Sequence, residues 1–259
     1  MKEDNSMASV TSRINVIKQP RGGFIKPSEF ESILLEDNNK LNDTEIVHPS
    51  IIGMTVDYLT RFMNGADIKD AFQISLLGAK LAGEEDVANK LISKIKGLDD
   101  VSIESACQLT TFDVWYRNPI AAPMAKSWRE TMLDRETTDN IKIMVTRSLN
   151  FFKTYGPVVK DGFTFEPNGY TNIVDTGDGD FLTKDTLWDF KVSKSKPTNK
   201  HTLQLLMYWI MGQHSGQDIY KTINKLGIFN PRLNTVYILD INKVNPNTIR
   251  IVEKDVIGY

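Results

Sequence analysis

The chain has 259 residues, 41% of them hydrophobic and 25% charged, with 31 Lys and Arg against 33 Asp and Glu for a formal charge of −2. That is enough apolar material for one large or two small domains with a real core. The near-neutral charge excludes a protein that coats nucleic acid through bulk electrostatics, although a local basic lip remains compatible with it. A single cysteine, Cys107, excludes an intramolecular disulfide framework and a cysteine-rich zinc site. With only His48, His201 and His214, a histidine metal cage or a Ser-His-Asp triad is poorly supported. No apolar run approaches membrane-spanning length and the start, M-K-E-D-N-S, lacks the apolar core of a secretory signal, so a cytoplasmic protein with no membrane partner is expected.

Residues 1 to about 12 are polar and predict a disordered start, and Gln19-Pro20-Arg21-Gly22-Gly23 predicts a loop. From Pro27 the pattern turns helical, with Ser28 as an N-cap ahead of Phe30, Ile33 and Leu34. After a polar stretch, Pro49 opens a helix through Asp57 that should end near Asn64-Gly65. His48, before that proline, belongs to a turn or a helix start. From Ala66 to about Tyr155 the periodicity is almost wholly helical: Phe72 to Leu81, Val87 to Ile95, Ile103 to Tyr116, and a long last helix from about Thr138 to Tyr155. Strand signals are concentrated after Val158, over Gly162 to Phe165, Asn172 to Val174, Asp178 to Thr183, Leu187 to Val192, Lys225 to Phe229, Thr235 to Ile241 and Ile249 to Val252. Trp188 and Trp209 sit in apolar contexts and belong to the core. Trp128, beside Arg129 and Glu130, is the better candidate for an exposed stacking side chain.

The chemistry-bearing segment is G-D-G-D-F-L-T-K-D-T-L-W-D-F-K, Gly177 to Lys191. Residues i and i+2 of a strand share a face, which puts Asp189 with Lys191 and leaves Trp188, Phe190 and Val192 on the other side. A hairpin turning at Lys184-Asp185 would bring Asp180 to Asp189. Two hard oxygen ligands at one strand pair suit Mg²⁺ or Mn²⁺, and Lys191 beside them is placed to orient the attacking water and to offset charge in the transition state. Downstream, His201 to Gln213 predicts a buried helix that carries Gln204 and Tyr208 on one face. His201 reads as a solvated or phosphate-near side chain rather than a ligand. Lys194, Lys196 and Lys200, in a loop with Pro197 and Asn199, are candidates to grip a phosphate backbone, and Lys184 joins them in the same basic stretch.

G-x-x-D at Gly177 to Asp180, D-x-K at Asp189 to Lys191 and Q-x-x-x-Y at Gln204 to Tyr208 together resemble the RecB-like branch of the PD-(D/E)XK nuclease superfamily. The resemblance implies an α/β fold with a restriction-endonuclease-like mixed central sheet flanked by helices and a large helical insertion or N-terminal helical region. It implies metal at Asp180 and Asp189, a water-assisting Lys191, and Gln204 and Tyr208 flanking the site. The family's earlier helical motif is matched by Gly53 to Leu59 with Asp57 in place of the usual His, so Asp57 is the provisional third metal ligand and Glu166 a competing one. The expected divisions are 1–65, an N-terminal segment with the first nuclease helix; 66–155, a helical insertion; and 156–259, the nuclease core. If Asp57 does not belong to the site, the helices form a separate domain instead.

The expected function is Mg²⁺- or Mn²⁺-dependent hydrolysis of DNA, single- or double-stranded, by exo- or endonuclease action, with a helicase or other protein as a further partner. The rival is a catalytically inactive nuclease-fold protein that binds nucleic acid or acts as a scaffold. Convergence of Asp180, Asp189 and Lys191 in an open, basic-rimmed pocket favours the first, and Asp189 paired off with a buried cation favours the second.

Overall fold

A computed structural model describes residues 8–259 of the chain. Its strands are β1 (Ala8–Ser9), β2 (Glu31–Leu34), β3 (Lys160–Phe163), β4 (Val174–Thr176), β5 (Gly179–Leu182), β6 (Thr186–Phe190), β7 (Lys225–Asn230) and β8 (Thr235–Asp240). Its α-helices are α1 (Val10–Val16), α2 (Pro49–Met63), α3 (Ile68–Ala71), α4 (Gln73–Leu81), α5 (Glu85–Lys94), α6 (Asp100–Thr110), α7 (Asp113–Arg117), α8 (Arg135–Tyr155), α9 (Asn199–His214) and α10 (Pro246–Ile251). The contacts divide the chain into a sheet unit, made from residues up to Leu35 and from Phe152 to Tyr259, and a helical unit, Glu36–Phe151, inserted between those two stretches. Among the described residues, no helix is long and apolar enough to cross a membrane.

The sheet unit is built on a six-stranded mixed sheet in the order β2-β8-β7-β6-β5-β3, in which β6 and β7 are parallel and the other neighbours antiparallel. Rows of cross-strand neighbours explain its core. Leu182, Leu187, Leu226 and Leu239 lie opposite one another in register and pack with Leu203, Leu206 and Met207 of α9. The next row runs Tyr237, Ile228, Asp189, an apolar series that ends in a carboxylate. On the opposite face Phe181 stacks on Trp188, with ring centroids 6.2 Å apart, and Phe152 and Tyr155 at the end of α8 meet them edge-on. Trp188 in turn covers Gly227, where a Cβ would stand 2.3 Å from the indole. α9 is buried on nearly every side, as expected of a helix that is hydrophobic all round.

Three sequence expectations for this unit are corrected. The segment after Pro27 makes a single 3₁₀ turn and then strand β2, because Glu31 to Leu34 supply the edge partner of β8. Ile249 to Val252 is helical: Asn245 caps the Asn247 amide at 2.8 Å, Pro246 occupies the first helical position, and a π-helical turn continues to Ile257. Ala8 to Ser12 lie in β1 and α1, which Ser9 caps through the Ser12 amide at 3.1 Å. The expectation for residues 1–7 falls outside the described residues.

The helical unit is held by a buried carboxylate. Asp113, 1% exposed, accepts from Tyr58 Oη at 2.6 Å and from Ser75 Oγ at 2.5 Å, which ties α7 to α2 and α4. Arg117 donates to the Tyr58 hydroxyl at 3.2 Å. Burial pushes the Asp113 carboxyl up, against the hydrogen bonds from Ser75 and Tyr58. Cys107, expected in the core, is fully buried and its thiol is pushed up to about 12 by that burial. α2 packs on α6, with Thr55 and Thr110 hydroxyls 3.1 Å apart, and so belongs to this unit, whereas the sequence divisions grouped it with the N-terminal segment. Asp113→Ala would strand two buried hydroxyls at once, and urea denaturation should show a loss of about 3 kcal/mol; a loss below about 1 kcal/mol would show that the network holds nothing.

Candidate functional site

The β5–β6 hairpin places the two carboxylates. Thr183 N–H donates to Thr186 O at 3.0 Å, closing a turn with Lys184 and Asp185 at its tip. From there the strands pair antiparallel through Leu182↔Leu187 and Phe181↔Trp188. One further step along that register sets Asp180 opposite Asp189. At that step the backbone ladder gives way to a side chain, since Asp180 Oδ2 accepts the Phe190 amide at 2.6 Å. Asp180 is therefore fixed beside its counterpart by the strand that carries it.

Asp189 is 3% exposed. Its Oδ1 receives the Lys191 ammonium at 2.9 Å, while Oδ2 is buried and has no hydrogen-bond partner. Burying an ionised carboxylate is costly unless both oxygens are satisfied, and Oδ2 is left uncompensated by hydrogen bonding. Lys191 keeps 31% of its side chain in contact with solvent, so Asp189 is not neutralised by a buried base.

α9 supplies the other side. Gln204 Nε2 donates to Tyr208 Oη at 2.8 Å, the i,i+4 pairing expected from the sequence. Burial raises the Tyr208 phenol, the Gln204 hydrogen bond opposes this, and the negative charges of Asp189, Asp180 and Asp178 raise it further. Those same charges place all three carboxylates within electrostatic reach of one phenol. Tyr170 Oη, donating to Gly177 O at 2.6 Å, ties down the loop that carries Asp178. In the first turn of α9, His201 Nδ1 accepts the Thr198 amide at 3.2 Å. Its imidazole is pushed down by burial and by the Lys191 charge, with Asp189 opposing.

Asp180, Asp189, Lys191, Gln204 and Tyr208 thus meet in the sheet unit. Asp57 does not belong to that unit; it is half-buried on α2 of the helical unit. Glu166 is exposed beyond β3, and its backbone carbonyl accepts Gln217 Nε2 at 2.6 Å. Lys194 and Lys196 are exposed, as is Lys200, whose ammonium donates to Asn15 Oδ1 at 2.8 Å. Lys184 is exposed at the hairpin tip, between the end of β5 and the start of β6. Trp128 is corrected, because its indole Nε1 is buried and the Arg129 guanidinium lies over its ring at 4.6 Å. Sequence reasoning did not single out Asp178, whose signal was its i,i+2 relation to Asp180, or the coupling of His201 to Lys191 and Asp189.

Among the described residues, no group of three or more His, Cys, Asp or Glu side chains is arranged to hold a metal ion. The oxygen donors brought side by side are the carboxylate pair, Asp180 and Asp189. This suits a hard divalent ion that is held by one or two carboxylates and completes its shell with water and substrate phosphate.

Two origins of the Asp189–Lys191 pair lead to different stabilities. If the pair were structural, Asp189→Asn would cost about 3–5 kcal/mol. For a site that tolerates an open acceptor, metal-free Asp189→Asn should melt within about 1 kcal/mol of the parent chain, because Lys191 can turn to water. Parallel urea titrations in EDTA separate the two.

Comparison with known proteins finds no family model, no curated protein and no solved structure that matches this chain.

Proposed function

We propose that the chain is a metal-dependent DNA nuclease of the RecB-like, PD-(D/E)XK type, with its site on the β5–β6 hairpin and α9. The observation that carries this reading is the buried Asp189 carboxylate, with one oxygen on Lys191 and the other unpartnered, set next to Asp180. Asp180 and Asp189 would hold Mg²⁺ or Mn²⁺. Bound there, a divalent ion supplies Lewis acidity and charge neutralisation at the phosphate.

The chain's own groups account for the rest. Lys191, on the same strand face as Asp189 and partly in solvent, donates to the attacking water or to a phosphate oxygen and offsets the charge that builds on phosphorus. The water oxygen forms the new P–O bond, the bridging P–O bond breaks, the water's proton passes to solvent and the leaving alkoxide takes one from it. Gln204 fixes the Tyr208 hydroxyl, which burial, helped by the surrounding carboxylates, keeps protonated, so that Tyr208 acts as a donor or a wall and not as a base.

The test uses linear and circular, single- and double-stranded DNA with Mg²⁺, Mn²⁺ or EDTA. Cleavage should require metal and be abolished in Asp180→Asn, and Lys191→Ala should lower kcat at least about 10²-fold. Circular substrates then separate endonuclease from exonuclease action. DNA bound under every condition but never cut would instead support the catalytically silent, nucleic-acid-binding reading.

A further inference from the structure

The loop at Gln19 to Gly23 is seated on the first turn of α9. Gly23 comes so close to that turn that a Cβ there would stand 2.6 Å from Asn199 Cβ, and its positive φ of 103° is a conformation that glycine adopts without strain. Two residues on, Ile25 O accepts Thr202 Oγ1 at 2.7 Å, and upstream Asn15 Oδ1 accepts Lys200 Nζ at 2.8 Å. These contacts bring two distant chain segments to one place. The N-terminal segment carries Lys18, Arg21 and Lys26, the β6–α9 loop carries Lys194 and Lys196, and the first turn of α9 carries Lys200; all six are exposed.

No described carboxylate forms an ion pair with any of the six. The acidic group built into the same loop is Glu29, which accepts the Lys26 amide at 2.9 Å. In a chain with a net charge of −2, six exposed cations gathered from two segments form a marked local excess. The patch is also continuous with the site, because the β6–α9 loop starts at Lys191 and ends at the turn that holds His201, whose imidazole responds to the charges of Lys191 and Asp189.

We infer that this surface is a phosphate track that holds the sugar-phosphate backbone of a nucleic-acid strand, with the Gln19–Gly23 loop supplying half of it. The identity of the strand as a substrate rests on the phosphodiesterase reading; the surface itself does not. Backbone contacts of this kind fix position without reading sequence, so binding is sequence-tolerant and strongly salt-dependent.

The test is fluorescence anisotropy with a labelled single-stranded oligonucleotide in EDTA, titrated over salt. It compares the parent chain, Lys18→Glu/Arg21→Glu, Lys194→Glu/Lys196→Glu, and a control reversal on the helical unit, Lys90→Glu/Lys94→Glu. Each track variant should lose at least about tenfold in affinity near 50 mM salt and flatten the slope of log affinity against log salt by about 1.4, two phosphate contacts at about 0.7 each. Circular dichroism checks folding, and if one track variant misfolds the other carries the test. The inference is overturned if the Lys18/Arg21 variant, once folded, loses no more than the control, if the parent chain binds no DNA, or if it binds anionic phosphatidylserine vesicles and not DNA. Because metal is absent, a chain that binds through this track but never cuts removes only the nuclease reading. One that cuts with unchanged binding in the variants removes only the track.

Discussion

A carboxylate set at the end of an apolar row is the constraint around which the sheet unit is arranged. Tyr237, Ile228 and Asp189 occupy successive strands in register, so the packing that buries the first two also buries the third. An ionised group in that position must be compensated. Lys191 compensates one oxygen, and Oδ2 remains without a protein partner. Fold stability alone would favour an apolar residue there, and a charge kept at such a site is the usual mark of a group retained for its chemistry.

The surrounding structure serves to hold that group next to Asp180 and beneath α9. The short turn at Lys184 and Asp185 sets the hairpin register, and the Phe190 amide takes Asp180 in place of a backbone acceptor. On the far face, the aromatic layer of Phe181 and Trp188 against Gly227 prevents the strands from slipping, since a one-residue shift would put an indole where the leucine row now packs. α9, buried almost throughout, then brings Gln204 and Tyr208 over the carboxylates, and its first turn meets the Arg21 loop.

Much of this arrangement was legible in the chain. The hairpin follows from period-two alternation, which is strict from Trp188 to Lys191, and the Gln204–Tyr208 pair follows from helical spacing. The boundaries of α2 were equally clear because Pro49 and Asn64-Gly65 are unambiguous signals. What was not legible depended on long-range partners. Glu31 to Leu34 has no strong intrinsic preference and becomes a strand because β8 offers it an edge. Ile249 to Val252 looks β-like by composition, but the Asn245 cap and Pro246 start a helix before those residues are reached. The short α1 buries only Val10 and Ile14, too few apolar residues to stand out in a polar stretch. The cationic surface was half visible as a lysine run. Its other half, near Arg21, depends on a contact between residues far apart in sequence.

The most direct measurement is calorimetric titration of the metal-free chain with Mn²⁺, set against Asp189→Asn and Asp180→Asn in the absence of DNA. If the open Oδ2 position and its neighbour hold the ion as proposed, binding should be saturable in the parent chain and lost in both variants. Equal binding in all three, or none in the parent chain, would contradict the claim that the Asp180–Asp189 pair is a metal centre.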